Sequence, residues 1–398
     1  MAPGFARGYP DPMRDRTLLA LLAMALPACG HSGLARGTNR GALQSADQAL
    51  EGLAAAGELS AQRELGLRLD QGLGAPSDPA QAAGWYRLAA EQGDAVSMLN
   101  LALLHLTGRG VERDDGEARR WLLRAGEAGS AEADLLWSSL ARTGRGGPPD
   151  TPGARRCLGR AAVAGLPQAQ FDLAGMLLAG EGGPIETEQG LAWLEAAAEG
   201  GLPSAQSALG SLLLEGQQSL DLRQEGVEWI RRAAERGEPR AMTRLGLLYL
   251  RGEDLPASDQ EALRWLSAAA EAGQAVAQVN LGLLLLRGQG TARNPAAAAA
   301  WIRAAAEQGL PQALIQLGAL YETGKGVERD PFEAWRCYRR AALAGSAEGA
   351  QRALRLADRA DESLRLRMTA DPELWPGDQG PESMHSGDED EQTFDPGP

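Results

Sequence analysis

The sequence has few of the side chains from which most active sites are built. Its 398 residues include three cysteines and three histidines. The histidines, His31, His105 and His385, are too scattered to suggest a shared metal site. His105 stands where equivalent segments carry Tyr249 and Tyr321, so we interpret it as a packing residue. No serine, histidine and carboxylate set has the spacing of a nucleophile and its base. We therefore expect no metal, no cofactor, no small-molecule substrate and no enzymatic activity.

Positive charge is also scarce. Acidic residues outnumber basic ones by 53 to 39, the formal net charge is −14, and Lys325 is the only lysine. The absence of a basic patch argues against nucleic acid as a partner. Glycine pairs such as Gly324 and Gly326 could be mistaken for a phosphate-binding loop. That loop needs a preceding strand, whereas here a helical pattern precedes, so we interpret the pairs as turns.

No stretch alternates apolar and polar residues as a half-buried strand does, and the apolar residues recur at helical spacing instead. In the segment 310–345, Ala313, Leu317 and Leu320 fall on one face of a first helix. Asp330 followed by Pro331 predicts an N-cap with proline in the first turn of a second helix. The segment therefore predicts two helices joined by a glycine turn.

This helix pair is repeated along most of the chain with a period of 36 residues. Gly345 is preceded by glycines at each 36-residue step back to Gly57. One further position of the period holds tryptophan or cysteine: Trp85, Trp121, Cys157, Trp193, Trp229, Trp265, Trp301 and Cys337. Regular self-similarity of this length is typical of a solenoid. We predict an all-α fold, an α/α solenoid of eight 36-residue helix-turn-helix repeats over residues 58–345.

The cap positions of the second helices follow the same period. Polar N-cap candidates are Asp78, Asp114, Asp150, Ser258, Asn294 and Asp330, and the pattern weakens at Glu186 and Leu222. Cys157 and Cys337 occupy the same position five repeats apart. Neighbouring repeats are separated by about 8–10 Å each, so the two thiols are too distant for a disulfide and are predicted to be buried.

The regions flanking the repeats have their own patterns. Residues 1–28 combine basic residues with a short apolar run, which indicates a signal peptide, and the basic start fits better if translation begins at Met13. Residues 29–40 are predicted to be a tether and residues 41–57 an N-terminal capping helix. Residues 346–370 are predicted to form a C-terminal capping helix. Residues 371–398 hold nine acids and no Lys or Arg, which predicts a disordered acidic tail.

The string from Leu26 to Gly30 resembles the lipobox of bacterial lipoproteins, in which the cysteine, here Cys29, is lipidated. The alternative is an ordinary secretory signal. Pro27 departs from the usual small residue at its position. Gly30 gives no inner-membrane retention signal, so the outer membrane is favoured. The interpretation predicts an exported chain that is lipid-anchored in the bacterial envelope, with the repeats facing the periplasm.

The repeat pattern, A-x-x-x-L-G-x-L-Y-x-x-G-x-G-V-x-x-D-x-x-x-A-x-x-W-x-x-x-A-A-x-x-G, resembles the Sel-one-like repeat (SLR) family of the tetratricopeptide-like superfamily. The resemblance covers about three quarters of the chain. It implies a right-handed superhelix and a role as adaptor or scaffold in protein complexes. An alternative function is that of a cell-wall-active enzyme that binds or hydrolyses penicillin, as suggested for cysteine-rich relatives. Those relatives carry a disulfide in each repeat, and this chain does not.

One variable position precedes the conserved leucine of each first helix and suggests an exposed row on the concave face. In the related arrays an asparagine there commonly holds the backbone of a bound peptide, which Asn100 and Asn280 match. The alternative is a merely solvated face. We predict that an envelope protein binds along this row, with Asn100, Asp172, Arg240, Arg244, Asn280 and Gln316 as the contacting residues.

Overall fold

The computed structural model describes residues 40–73, 76–215 and 219–370, and within these ranges every regular element is a helix. The 19 helices there are α1 (Arg40–Ala55), α2 (Leu59–Gln71), α3 (Pro79–Glu91), α4 (Ala95–Thr107), α5 (Asp115–Glu127), α6 (Ala131–Thr143), α7 (Thr151–Val163), α8 (Pro167–Ala179), α9 (Thr187–Glu199), α10 (Pro203–Leu214), α11 (Leu220–Glu235), α12 (Pro239–Arg251), α13 (Asp259–Glu271), α14 (Ala275–Arg287), α15 (Pro295–Glu307), α16 (Pro311–Thr323), α17 (Pro331–Leu343), α18 (Ala347–Asp358) and α19 (Glu362–Thr369). The predicted all-α solenoid is confirmed.

Each repeat consists of an A helix and a B helix. The A helices are the even-numbered α2 to α18, and the B helices are the odd-numbered α3 to α17, with α1 preceding them. The chain divides into two compact units, Met1–Leu209 and Gly210–Pro398. Within each unit the helices pack against their neighbours in sequence, as in the pairs α8 with α9 and α14 with α15.

The predicted N-caps define where the B helices begin. Asp78 accepts a hydrogen bond from the Gln81 backbone N–H at 3.0 Å, and all six predicted cap side chains accept such bonds. Glu186 is an N-cap without a side-chain hydrogen bond. Helix α11 begins one turn early, because Ser219 rather than Leu222 is its cap. The weak fit at these two positions therefore reflects altered capping, with the helices retained.

Turn glycines join the A and B helices in a conformation that other residues avoid. Gly326 has φ +77°, and a Cβ there would lie 2.0 Å from the Pro295 carbonyl oxygen. Gly309 also has a positive φ, +81°, but a Cβ there would meet nothing within 4 Å. The glycine after the A helix is required by both backbone and packing, whereas the glycine after the B helix is required by backbone alone.

The interior of each unit is built from alanine and leucine of successive helices. In the first unit, Leu122, Leu136 and Leu158 are essentially inaccessible to solvent and belong to one cluster. In the second unit, Ile302, Leu320 and Tyr338 belong to a comparable cluster. Because each cluster joins consecutive repeats, stability arises from contacts between neighbours.

The C-terminal end of the described chain differs from the prediction of a single capping helix. The segment 346–370 contains two helices, α18 and α19, and α19 packs on α17. The predicted signal peptide, Cys29, the predicted tether except Arg40 and the predicted acidic tail lie outside the described residues. Among the described residues, no helix combines the length and apolar character needed to cross a membrane.

Candidate protein-interaction surface

Every A helix has four positions, at spacings i, i+4, i+7 and i+11, that fall on one helix face. In α12 these are Arg240, Arg244, Leu247 and Arg251. The outer two are exposed and the inner two are half-buried. The same order, exposed at both ends and half-buried in the middle, occurs in α14 and α16. We call this set of four positions the stripe of each A helix.

The stripes of α12, α14, α16 and α18, the A helices that lie wholly in the second unit, are strongly basic. They comprise Arg240, Arg244, Leu247 and Arg251 on α12; Val276, Asn280, Leu283 and Arg287 on α14; Gln312, Gln316, Ala319 and Thr323 on α16; and Glu348, Arg352 and Arg355 on α18, with Arg359 as its C-cap. The one acid, Glu348, lies 2.9 Å from Arg352 in an ion pair. In a chain of net charge −14, a face with seven arginines and one carboxylate is a marked local excess.

Among the arginines of α12 and α14, three have no carboxylate partner in the described residues. Arg244, Arg251 and Arg287 form no ion pair with any other residue in the part of the chain described. The Nε of Arg244 is buried and receives no hydrogen-bond partner there. Unsatisfied guanidinium donors on a half-exposed face are suited to bind a carboxylate. We call Arg240, Arg244, Arg251 and Arg287 the arginine stripe.

The structure places four of the six predicted contact residues in this second unit. Arg240 is exposed, while Arg244, Asn280 and Gln316 are half-buried. The Asn280 amide donates to the Val276 carbonyl oxygen at 2.7 Å. One of its two N–H donors is therefore engaged within its own helix, and without rotation the side chain can offer a peptide backbone its second N–H and its Oδ1.

Asn100 and Asp172 lie on the stripes of the first unit, which differ in charge. The stripes of α2, α4, α6 and α8 hold three acids and no base, the acids being Glu64, Glu132 and Asp172. The row is also not uniformly exposed. Leu136, at the position equivalent to Asn100, is 1% exposed and packs in the core cluster with Leu106. The structure therefore separates the predicted row into two sets of opposite charge.

Asp172 is held in a half-buried position on α8. It accepts a hydrogen bond from Gln168 Nε2 at 2.9 Å. Burial raises the pKa of the Asp172 carboxyl to about 6, and the Gln168 hydrogen bond and the Arg142 charge oppose that rise. Arg142 is itself held by Glu181, with Nε 2.8 Å from Oε1. Asp172 therefore titrates close to neutral pH.

Asn100 lies beside a buried tyrosine of the preceding B helix. Burial raises the pKa of Tyr86, and the nearby Asp70 carboxylate raises it further. The equivalent tyrosine of the last repeat, Tyr338, donates its hydroxyl to Glu322 Oε2 at 2.9 Å. The Tyr338–Glu322 bond lies within one repeat, whereas Tyr86 and Asn100 belong to consecutive repeats, so the position of Asn100 also serves packing between repeats.

The sequence analysis missed an ion pair in the first unit whose carboxylate is buried. In two other repeats, Gln170 and Gln278 occupy the position of Asp134 and donate to a carbonyl oxygen of the preceding B helix. Asp134 pairs instead with Arg160. Gly126 stands where other repeats have alanine, and a Cβ there would lie 2.2 Å from the Asp134 carboxylate. The sequence signal for this ion pair is that one repeat differs at two positions together: Gly126 replaces the usual alanine, and Asp134 replaces the glutamine found in other repeats.

A second surface of the first unit is a groove of about 890 Å³ between α7, α8 and α9. It is lined by Arg155, Arg156 and Arg160 together with Trp193. Arg155 pairs with Glu186, and Arg160 pairs with Asp134. Because two of its three arginines are already neutralised, this groove offers less free positive charge than the arginine stripe.

The two cysteines in the described part of the chain are packing residues. Cys157 and Cys337 are buried and unbridged, and burial raises the pKa of each thiol to about 11. In both repeats a tryptophan at another position, Trp137 or Trp335, shares the cluster. The described residues contain no group of three or more His, Cys, Asp or Glu that could hold a metal ion.

Sequence reasoning identified Arg240 and Arg244 but missed Arg251 and Arg287. The sequence analysis considered only the position before the conserved leucine and the position four residues earlier, which are the first two positions of each stripe. The same helix face also includes the positions seven and eleven residues after the first. Counting charge along all four positions of each A helix would have revealed the arginine stripe from the sequence.

Comparison with solved structures identifies similar repeat proteins, among them these two. The protective antigen c5321 of uropathogenic Escherichia coli, which displays an SLR fold, is 28% identical over 81% of this chain and 77% of its own, with a TM-score of 0.53. A Sel1 repeat protein from Oxalobacter formigenes is 29% identical over 78% of this chain and 90% of its own, with a TM-score of 0.59. A search of curated proteins found no significant match.

The Sel1 repeat family matches eight consecutive segments: residues 59–94, 95–130, 132–166, 167–202, 203–238, 239–274, 275–310 and 311–346. Seven of these segments begin one residue after the predicted repeats and the third begins two residues after, so the matches follow the predicted 36-residue period closely. Sel1 repeat proteins are generally scaffolds for protein–protein interaction. The match extends over more than half of the chain, and the protein belongs to the Sel1 repeat family.

Proposed function

We propose that this chain is a non-enzymatic scaffold of the bacterial envelope that binds an extended, acidic segment of another envelope protein along the arginine stripe. The observation that carries the proposal is the set of four arginines on α12 and α14, three of which have no ion-pair partner among the described residues. The Sel1 repeat fold supports a role in protein–protein interaction.

The chemistry of the stripe favours a carboxylate-bearing partner. A guanidinium group binds a carboxylate through two parallel N–H···O bonds, which an ammonium group does not. Leu247 and Leu283 lie half-buried between the arginines and offer apolar contact. An extended segment would cross the neighbouring A helices and meet Arg287 on α14 and the three arginines of α12. Charge complementarity of this kind chiefly sets partner choice and association rate.

The envelope location is supported by the N-terminal sequence. A signal-type apolar run ends at Cys29 in a string that resembles a lipobox. We propose that Cys29 carries the lipid and holds the repeats at the outer membrane. Metabolic labelling with an alkyne fatty acid is expected to mark the wild-type chain and not a Cys29→Ser variant. Labelling of both would contradict the anchor.

The binding surface is tested by photocrosslinking in cells that produce the protein. A photoreactive amino acid replaces Val276, which is 44% exposed within the stripe of α14. The matched control replaces Ala300, an exposed residue on the B helix α15. We expect position 276, and not position 300, to be joined to an acidic segment of an envelope protein.

The charge reversal Arg244→Glu with Arg287→Glu is expected to remove most of that crosslinked product. Arg264→Glu with Arg303→Glu makes the same charge change on B helices and is expected to leave the product intact. Equal crosslinking at positions 276 and 300, or a crosslinked peptide without acids, would overturn the proposal.

A further inference from the structure

We propose that residues 371–398 of this chain bind its own arginine stripe when no partner is present. The arginine stripe lies in the second unit, whose described part ends at residue 370, immediately before the segment. The segment holds nine carboxylates and no Lys or Arg, including four consecutive acids at 388–391. The arginine stripe offers four arginines, and the stripe of α18 adds Arg355 and, at the C-cap of that helix, Arg359.

The start of the segment is fixed against the second unit. Met368, two residues before the last described residue, is 2% exposed. The guanidinium of Arg367 lies 4.2 Å from the centre of the Phe332 ring and 4.0 Å from an oxygen of Asp330. These contacts hold the end of α19 on α17. The acidic segment therefore leaves from a defined point beside the last repeats.

The length of the segment is sufficient to reach the stripe. Asp388 follows Ala370 by 18 residues. An extended chain of that length spans up to about 60 Å. Helix α18 is separated from α12 by three steps between neighbouring A helices, which amount to roughly 30 Å at about 10 Å each. The run 388–391 can therefore meet the arginines of both α14 and α12 without disturbing the fold.

Apolar residues are present both in the acidic segment and on the stripes of α12 and α14. The segment contains Leu374, Trp375 and Phe394. The stripes of α12 and α14 contain the exposed Val276 and the half-buried Leu247 and Leu283. Apolar contacts of this kind would limit the loss of binding when salt screens the charges.

Binding of the segment would regulate the scaffold. If the proposed function holds, a partner must displace residues 371–398 before it reaches the arginines, so only segments with higher affinity would bind. A segment in the same chain is present at high effective concentration. Weak contacts are then sufficient to exclude weak competitors.

The proposal is tested by a distance measurement on the isolated full chain. Two spin labels are attached in a Cys29→Ser background, at Val276→Cys on the stripe and at Ser386→Cys beside the acidic run. Cys157 and Cys337 are 3% and 5% exposed and should remain unlabelled. Electron–electron dipolar spectroscopy then reports the distance between the labels.

We expect a short distance that lengthens in a stripe variant with all four arginines changed to glutamine: Arg240→Gln, Arg244→Gln, Arg251→Gln and Arg287→Gln. A matched control changes four exposed B-helix arginines: Arg232→Gln, Arg264→Gln, Arg303→Gln and Arg340→Gln. It alters the net charge equally and is expected to keep the short distance. Thermal melting of both variants checks that each remains folded.

An unchanged distance in the stripe variant, or equal lengthening in both variants, would overturn the proposal. A short distance that disappears on dilution with unlabelled protein would show that the segment binds another copy, which also overturns it. The measurement contains no partner, so it can fail while crosslinking at position 276 succeeds. The two proposals are therefore separately testable.

Discussion

Arg160 on α7 holds the buried carboxylate of Asp134 on α6, with Nε of the arginine 2.9 Å from Oδ2 of the aspartate. The Asp134 side chain is 3% exposed, whereas the Arg160 side chain is 46% exposed. Asp134 is therefore the member of the pair that depends on its partner, because water can solvate the arginine alone but cannot reach the aspartate.

We expect Arg160→Ala to lower the free energy of unfolding by about 1.5–3 kcal/mol, since it leaves a buried carboxylate without its charged donor. The control Arg156→Ala removes a neighbouring exposed arginine that has no ion pair in the described residues and should cost less than about 0.5 kcal/mol. Chemical denaturation measures both. Adding Asp134→Gln to Arg160→Ala should recover part of the loss by restoring the amide found in other repeats. Equal effects of the two single variants would contradict the assignment.

The two kinds of turn glycine should respond differently to alanine. Gly309→Ala places a Cβ in open space and is expected to cost about 1–2 kcal/mol from the backbone alone. Gly326→Ala adds a clash with the Pro295 carbonyl oxygen and should cost clearly more. Thermal melting of the two variants makes the comparison. Similar melting temperatures would show that the turn can move away from α15.

The raised pKa of Asp172 makes stability depend on pH. Its folded pKa of about 6 lies above its ordinary value of 3.8. The folded state therefore binds the proton more tightly, and the stability this adds below pH 4 is lost as pH rises through 6. We expect Asp172→Asn to gain about 1–3 kcal/mol relative to wild type between pH 4 and pH 7.

Denaturation of both chains at the two pH values measures this difference. Glu132→Gln, an exposed substitution in the same unit, is the control and should show no comparable gain. A constant difference between Asp172→Asn and wild type at both pH values would mean that the carboxyl titrates normally.

The alternative of a wall-active enzyme is tested with a fluorescent penicillin. We expect no covalent labelling of the chain, because no serine, histidine and carboxylate set has the spacing of a nucleophile and its base. Burial also raises the pKa of the Cys157 and Cys337 thiols, which disfavours the nucleophilic thiolate. An established penicillin-binding protein run alongside verifies the reagent. Labelling that resists denaturation and is competed by unlabelled penicillin would favour the enzyme.

The local parts of the fold were predictable from the sequence. The period, the Asp330 cap and the turn glycine Gly324 are confirmed as predicted. Each depends on backbone hydrogen bonds and dihedral angles within a few residues. The early start of α11 was not predicted, because Ser219 competes for the same cap and lies only three residues before Leu222.

The charge of the A-helix faces can be read from the sequence, but the exposure of each side chain depends on the tertiary structure. Asn100, Leu136 and Asp172 occupy equivalent positions, yet Leu136 is buried and Asp172 is only half-buried. Arg142 pairs with Glu181, 39 residues away, and such pairs form only when consecutive repeats are stacked.

The sequence by itself therefore determined the repeat, its helices and its turns, because those depend on interactions between near neighbours in the chain. Only the tertiary structure decided which polar side chains bind one another and which remain available. That outcome depends on packing between repeats, where burial and long-range ion pairs neutralise Asp134 and Arg160 but leave Arg244 and Arg287 without carboxylate partners among the described residues.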